Sequence, residues 1–291
     1  MKFDIIVGNP PYNNKQDAYF SIKLSRRYNK YMCLIVPGKW KIYEKGTVYD
    51  KMRRALVVHI KYICFYPCCK DVFDILQVDG ITYFIADRHT HSKCIVENKS
   101  KYIKHFNNIR YRSIHDRRSL VNIGDEILKV ISNCTELGID IENISPLNKR
   151  FQVWICTKTP GGNFSTVVNN NIQRLFIGIC RLIDTKTDST GEFTPAFKCI
   201  FSSDNIDECR SFISWINSKF VRFFLAINQS KQSNIITNDT FRLVPRLYDN
   251  KFDHIFTDKE LYKMYGLDND FMRDIEGTKY TDIIESIVKD R

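Results

Sequence analysis

No window of about 18 consecutive apolar residues occurs in the 291-residue chain, so no transmembrane helix is expected. A leader is not expected either. The opening MKFDIIVGNPPY has too short an apolar run and no small-residue cleavage site, and it reads as a buried strand. These two readings imply a cytoplasmic protein. Zinc-ligand spacing is also missing. The ten cysteines include a C-x3-C-C run at Cys64, Cys68 and Cys69, but no paired C-x2-C and no neighbouring H-x3-5-H. That pattern argues against a metal site and for reduced thiols, most of them small core residues. Acidic charge is scarce in one part only. Residues 1–120 hold 23 Lys+Arg against 10 Asp+Glu, whereas residues 121–291 hold 21 against 23, for a net +11. A one-sided excess of cations points to a polyanionic partner, without separating DNA from RNA or from a membrane surface.

What is present is ordinary globular composition, 43% hydrophobic and 26% charged, in a chain long enough for two domains. Phe3–Val7 is a continuous apolar run stopped by Gly8-Asn9-Pro10-Pro11, the pattern of a strand buried on both faces. Residues 16–31 carry Tyr19, Ile22 and Leu24 at roughly helical spacing, and Cys33–Val36, closed by Pro37-Gly38, is a second strand; the order is a βαβ unit. A helix over 45–56 and a strand over Val57–Phe65 follow. Ile75–Val78 and Ile81–Ile85, joined by Asp79-Gly80, have the form of a hairpin. Later, a helix is expected around 124–133 and β-like runs at Phe151–Thr157, Leu175–Asp184 and Ala196–Phe201. Ile206, Cys209, Ile213, Ile216, Phe220 and Phe224 form a core-facing stripe on a helix over about 206–227, with Asp204 as its N-cap. The expected domains are 1–120, 121–245 and a helical tail, 246–291.

Asn9-Pro10-Pro11-Tyr12 at the end of a buried strand resembles the catalytic motif of amino methyltransferases acting on adenine N6. The resemblance implies roles with a clear chemical basis. An exocyclic amine is a poor nucleophile because its lone pair is delocalised into the ring. The Asn9 side-chain oxygen and the Pro10 carbonyl would accept its two N–H bonds and localise that lone pair. Tyr12 would stack on a base flipped out of the duplex. The tetrapeptide alone says amino-group methylation, since RNA-directed and protein-glutamine methyltransferases share it.

The neighbours narrow the resemblance to the N6-adenine DNA methyltransferases of restriction–modification systems. Phe3-Asp4-Ile5-Ile6-Val7-Gly8 is similar to the entry strand of that family, and Leu34-Ile35-Val36-Pro37-Gly38-Lys39-Trp40 to the strand that follows. Val72-Phe73 with Val78–Phe84 is similar to the hairpin region, where Phe73 is the best match for an aromatic residue that holds the extruded base. Trp215–Leu225, Phe241–Pro245 and Phe256–Tyr262 resemble the carboxy-terminal specificity region. The implied fold is α/β: a partial doubly wound, Rossmann-like sheet with an antiparallel hairpin, then a mixed α+β target-recognition domain. The implied cofactor is S-adenosylmethionine. The glycine-containing strand-to-helix turn that binds it in the family is not found here; Gly161-Gly162-Asn163-Phe164 reads as a plain or DNA-facing loop. Asp4 is the weak remaining cofactor contact. A strand at Phe3–Val7 without that half would leave an apolar edge, so a second polypeptide or self-association is expected to cover it.

Double-stranded DNA is the expected substrate, contacted by Arg26, Arg27, Lys39, Arg53, Arg54, Lys158, Arg174, Lys219, Arg222 and Lys231. The size of the carboxy-terminal region favours DNA over RNA or a protein glutamine. An inactive DNA-binding module derived from such an enzyme is the other reading.

Overall fold

The computed structural model describes residues 1–41, 46–56, 59–67, 69–74, 80–89, 94–106, 110–112, 149–156, 181–187, 197–228, 244, 247 and 251–278. The chain divides into two compact units. The first holds the described residues up to Ile103 and 110–112; the second holds those from 149 onward, together with Lys104–Phe106.

The first unit is built on a mixed sheet. Its elements are β1 (Phe3–Gly8), α1 (Gln16–Leu24), β2 (Tyr28–Pro37), α2 (Val48–Leu56), β3 (Ile60–Tyr66), β4 (Ile81–Asp87), β5 (Cys94–Asn98) and β6 (Arg110–Arg112). The spatial order is β1-β2-β4-β3-β5-β6. β1 and β2 are parallel, with Ile6 beside Met32 and Gly8 beside Leu34, so the expected βαβ unit is present. β4 lies antiparallel between β2 and β3. Ile81–Asp87 thus pairs with β2 on one edge and β3 on the other, whereas the first strand expected for the Asp79-Gly80 hairpin, Ile75–Val78, lies outside the described residues. The antiparallel partner close in sequence is β3.

Alternation along the strands sorts the side chains into two faces. Met32, Leu34, Val36, Ile63, Phe65, Phe84, Ala86 and Val96 point to one face, where Ala18 of α1 and Val48, Tyr49, Met52 and Leu56 of α2 close the core. The other face carries Ile5, Val7, Tyr31, Cys33 and Ile35. Ile5 is 60% and Val7 75% exposed, in place of the two-sided burial expected for this strand. Among the described residues, α1 and α2 form one helical layer on one face, so the second layer of a doubly wound sheet is not seen.

The second unit has a three-stranded antiparallel sheet, β8-β7-β9, made from β7 (Phe151–Cys156), β8 (Arg181–Asp184) and β9 (Phe197–Ser203). The helix expected over 206–227 is two helices, α3 (Ile206–Ile216) and α4 (Lys219–Asn228). Ser218 makes the break: its hydroxyl donates to Trp215 O at 2.6 Å and accepts from Val221 N at 3.2 Å, ending one helix and capping the next. Asn205, not Asp204, caps α3, accepting from Asp207 N at 2.9 Å. Asp204 is occupied elsewhere, by Lys149 Nζ at 2.6 Å and Arg150 N at 3.1 Å. Cys209, Ile216, Phe220 and Phe224 are buried, as the stripe requires. α5 (Asp258–Met264) and α6 (Asn269–Gly277) follow.

Asp274 of α6 is 3% exposed and accepts from the backbone N–H groups of Lys104, His105 and Phe106 at 2.9, 2.9 and 3.2 Å. Asp274→Ala leaves those donors unpaired and destabilises the protein by about 3 kcal/mol, measurable as a lower urea midpoint. An unchanged midpoint would remove the carboxylate from this role.

Candidate active site

β2 is parallel to β1, β4 is antiparallel to β2, and β3 is antiparallel to β4. The ends of β1, β2 and β3 therefore share one end of the sheet with the start of β4. Gly8-Asn9, Pro37-Gly38-Lys39, Tyr66-Pro67 and Gly80-Ile81 meet there, and Gly38 N donates to Gly80 O at 3.0 Å. Gly80 has φ +70°, and a Cβ on it would come within 2.5 Å of Tyr66 O, so this approach of strands needs glycine.

At this tip Asn9 and Pro11 are exposed, Tyr12 is half-buried and Pro10 is buried. Pro10 ends the ladder, and its carbonyl accepts no hydrogen bond among the described residues. Immediately after the motif, Asn14 (φ 52°) and Lys15 (φ 63°) are both left-handed, before α1 begins without a side-chain cap. Two successive non-glycine residues in this region form a strained turn, and strain of this kind clusters at working sites.

Burial pushes the Tyr12 hydroxyl up to about 12; the Cys69 thiol adds to the rise, the facing Asn9 side chain opposes it, and Asp17 adds a little more. The hydroxyl is nevertheless buried without a hydrogen bond of ordinary geometry. Behind it stands Asp17, fully buried in the first turn of α1. Tyr49 donates to its Oδ1 at 3.4 Å, and its Oδ2 has no partner. Burial raises the Asp17 carboxyl above the usual range, against the backbone N–H of Ala18, Tyr49 and the nearby Lys39 charge.

The sequence did not single out Asp17 or Tyr49, and it read Cys69 only as one thiol of the C-x3-C-C run. An acid in a helix's first turn ordinarily signals only the helix dipole. Because the folded carboxyl titrates above its unfolded value of about 3.9, its ionisation opposes folding, and stability falls as pH rises between the two values. Asp17→Asn therefore raises the melting temperature at pH 7, and the gain vanishes below the unfolded value. A gain independent of pH would contradict this.

The structure brings some expected residues together and separates others. Phe73 is half-buried at the same end, with its N–H bonded to Cys69 O at 2.9 Å, one turn from the thiol beside Tyr12. Lys39 is exposed there too. Asp4 is not brought to the tip. It stands near the start of β1, five residues before Asn9, taking Asn29 Nδ2 at 3.3 Å and Lys30 Nζ at 3.4 Å, pairings that hold its carboxyl below the usual range. Arg26 and Arg27 are also at that far end: Phe3 N donates to Arg27 O at 2.8 Å, about 20 Å of strand from Asn9. Arg53 is 3% exposed against the core and so is withdrawn from any phosphate, while Arg54 pairs with Asp50 at 2.5 Å. Lys219 is paired with Glu276, and Arg222 is half-buried. Lys158, Arg174 and Lys231 lie outside the described residues, as do Gly161–Phe164 and the helix expected around 124–133. Among the described residues no group of three His, Cys, Asp or Glu is placed to hold a metal ion, and no helix is long and apolar enough to cross a membrane.

No protein-family model matches the chain. Over 115 residues, 34% of this chain, it is 31% identical to an "uncharacterized adenine-specific methylase" from Mycoplasma pneumoniae. The similarity is to an adenine-specific methylase. Motif resemblance and sequence match thus agree on the same group of enzymes, and the match spans 27% of that relative's length. Similar solved structures include a type I restriction-modification methyltransferase subunit from Streptococcus thermophilus (17% identity, 39% of this chain and 30% of that one, TM-score 0.28). Another is the type I restriction enzyme EcoKI M protein (15% identity, 39% and 29%, TM-score 0.29). The type IIG restriction endonuclease BpuSI aligns over 94% of this chain and 49% of its own, at 10% identity and TM-score 0.31.

Proposed function

We propose that this chain carries the base-accepting half of a DNA adenine-N6 methyltransferase active site. The observation that supports this reading best is an exposed Asn9 beside an unengaged Pro10 carbonyl, at the end of a strand and ahead of a strained turn. Asn9 Oδ1 and Pro10 O accept the two amine N–H bonds of an extruded adenine. This draws the nitrogen toward tetrahedral geometry and exposes its lone pair. Fixed acceptors aimed at charge that develops during reaction are effective without any group of shifted pKa. Tyr12 offers its ring to the base face, and Phe73 closes the same end.

The fit to S-adenosylmethionine is partial. Asn9 and Tyr12 front the position of an incoming methyl group, whereas Asp4 is committed to Asn29 and Lys30 far from the tip. When bound, that cofactor supplies an electrophilic methyl group. The outer edge of β1, which no strand pairs among the described residues, accepts a further strand that completes the cofactor site, from another segment of the protein or a second polypeptide. Single-molecule sequencing that maps modified bases along the host's DNA tests the reading. Deleting this chain removes N6-methyladenine from one recognition sequence and leaves N4-methylcytosine unchanged. Unaltered N6-methyladenine at every sequence would overturn it.

A further inference from the structure

At the end of β1 opposite the tip lies an open groove of about 580 Å³, lined by Lys2, Tyr19, Ile22, Lys23, Arg26 and Arg27. Ile22 and Lys23 lie three and four residues after Tyr19, and Arg26 lies four and three residues after them. They form one stripe of α1 and its extension, which stays helical through Ser25 because Ser25 N bonds Ser21 O. The bond from Phe3 N to Arg27 O brings Lys2 against the same stripe from a different element. No carboxylate lines the groove. The nearest acid along β1, Asp4, is held by Asn29 and Lys30, and none of the four cations has an ion pair among the described residues.

We propose that this groove binds the phosphodiester backbone of a nucleic acid, at a place separate from the catalytic tip. Cations near a helix carboxy terminus complement its dipole, which accounts for Lys23 and Arg26. It accounts neither for Lys2, just before β1, nor for Arg27. Four like charges gathered without a counterion repel one another, and a polyanion relieves that repulsion while releasing its own counterions. Adjacent arginines present planar forks that match phosphate oxygens. Tyr19, 60% exposed among them, is a stacking surface of the kind found in single-strand grooves, which an acidic peptide does not need. Since the groove stands about 20 Å of strand from Asn9, it engages nucleotides other than the base presented to the tip.

The test is fluorescence anisotropy of the full chain with labelled 20-mers of duplex DNA, single-stranded DNA and RNA, between 50 and 200 mM KCl. The combined Lys23→Gln, Arg26→Gln, Arg27→Gln variant is expected to weaken binding at least tenfold. It should also reduce the salt slope by about 2 to 3, roughly 0.7 to 0.9 for each phosphate no longer neutralised. Tyr19→Ala should weaken the single strands more than the duplex, and the three probes show which backbone is preferred. An unchanged slope in the triple variant, with its folding verified by circular dichroism, would overturn the proposal. Equal competition by poly-L-glutamate at matched charge would overturn it too, in favour of an acidic protein. Asn9→Ala is expected to leave the slope intact, so the groove and the methyl-transfer reading fail by different measurements.

Discussion

Asn9→Ala in the assembled enzyme lowers the rate of methyl transfer about 10²- to 10³-fold, the usual loss for one preorganised acceptor or donor in a transition state, while DNA binding is retained. The effect is large because the adenine amine has no other route to a localised lone pair at this tip. In the proposed reading Pro10 contributes a backbone carbonyl that no side-chain change removes, and it would hold only one of the two N–H bonds. Asn9 is exposed on a strand that ends one residue earlier, so its removal leaves no cavity in the core. Unchanged melting temperature with lost turnover is therefore the expected pair of results. Single-turnover transfer of radiolabelled methyl groups measures the first, and thermal unfolding the second. Turnover within threefold of wild type would take Asn9 out of the chemistry.

Tyr12 separates ring from hydroxyl. Tyr12→Ala removes the stacking surface, a loss of about 1–3 kcal/mol, corresponding to roughly 5- to 150-fold in transfer to DNA. Tyr12→Phe keeps the ring and deletes a hydroxyl that is buried without a partner. It should retain activity within a few-fold and fold at least as stably, since an unsatisfied buried polar group costs about 1–3 kcal/mol. If Tyr12→Phe loses as much activity as Tyr12→Ala, the hydroxyl, not the ring, carries the function of this residue. Comparison of single-turnover rates for the two variants decides between them.

The elements legible in the sequence are those whose signals are local. Phe3–Gly8 and the strand ending at Pro37-Gly38 announce themselves by apolar runs closed with proline or glycine, and the helix between them by its spacing. The Asn9-Pro10-Pro11-Tyr12 signal, on which the proposed function rests, is local as well. What stayed hidden depended on partners distant in the chain. Gly80 reads as half of a turn; that its positive φ serves a close approach to Tyr66 and Gly38, and that Ile81–Asp87 has β2 and β3 as neighbours, has no local signal. Arg53 and Arg54 look alike in sequence; one faces the core and the other Asp50, a difference set by helix phase. Asp204 and Asn205 are equally plausible caps until Lys149 and Arg150 engage the first. Asp17 was invisible for the same reason, since its burial follows from how α1 meets Tyr49 and Tyr12.

The outer edge of β1, unpaired among the described residues, would tie assembly to the proposed chemistry. A further strand paired along it would stiffen β1 and with it the Asn9 position, so under the proposed reading a weakly associated complex is expected to lose turnover before it loses DNA affinity.

The most direct measurement is photo-crosslinking of the assembled enzyme to duplex DNA in which 5-iodouracil replaces the target adenine. A base turned out onto the strand tip yields a crosslinked peptide containing Asn9-Pro10-Pro11-Tyr12, with the bond at the Tyr12 ring. Crosslinking confined to peptides elsewhere in the chain, under conditions where the unmodified site is methylated, would contradict the assignment.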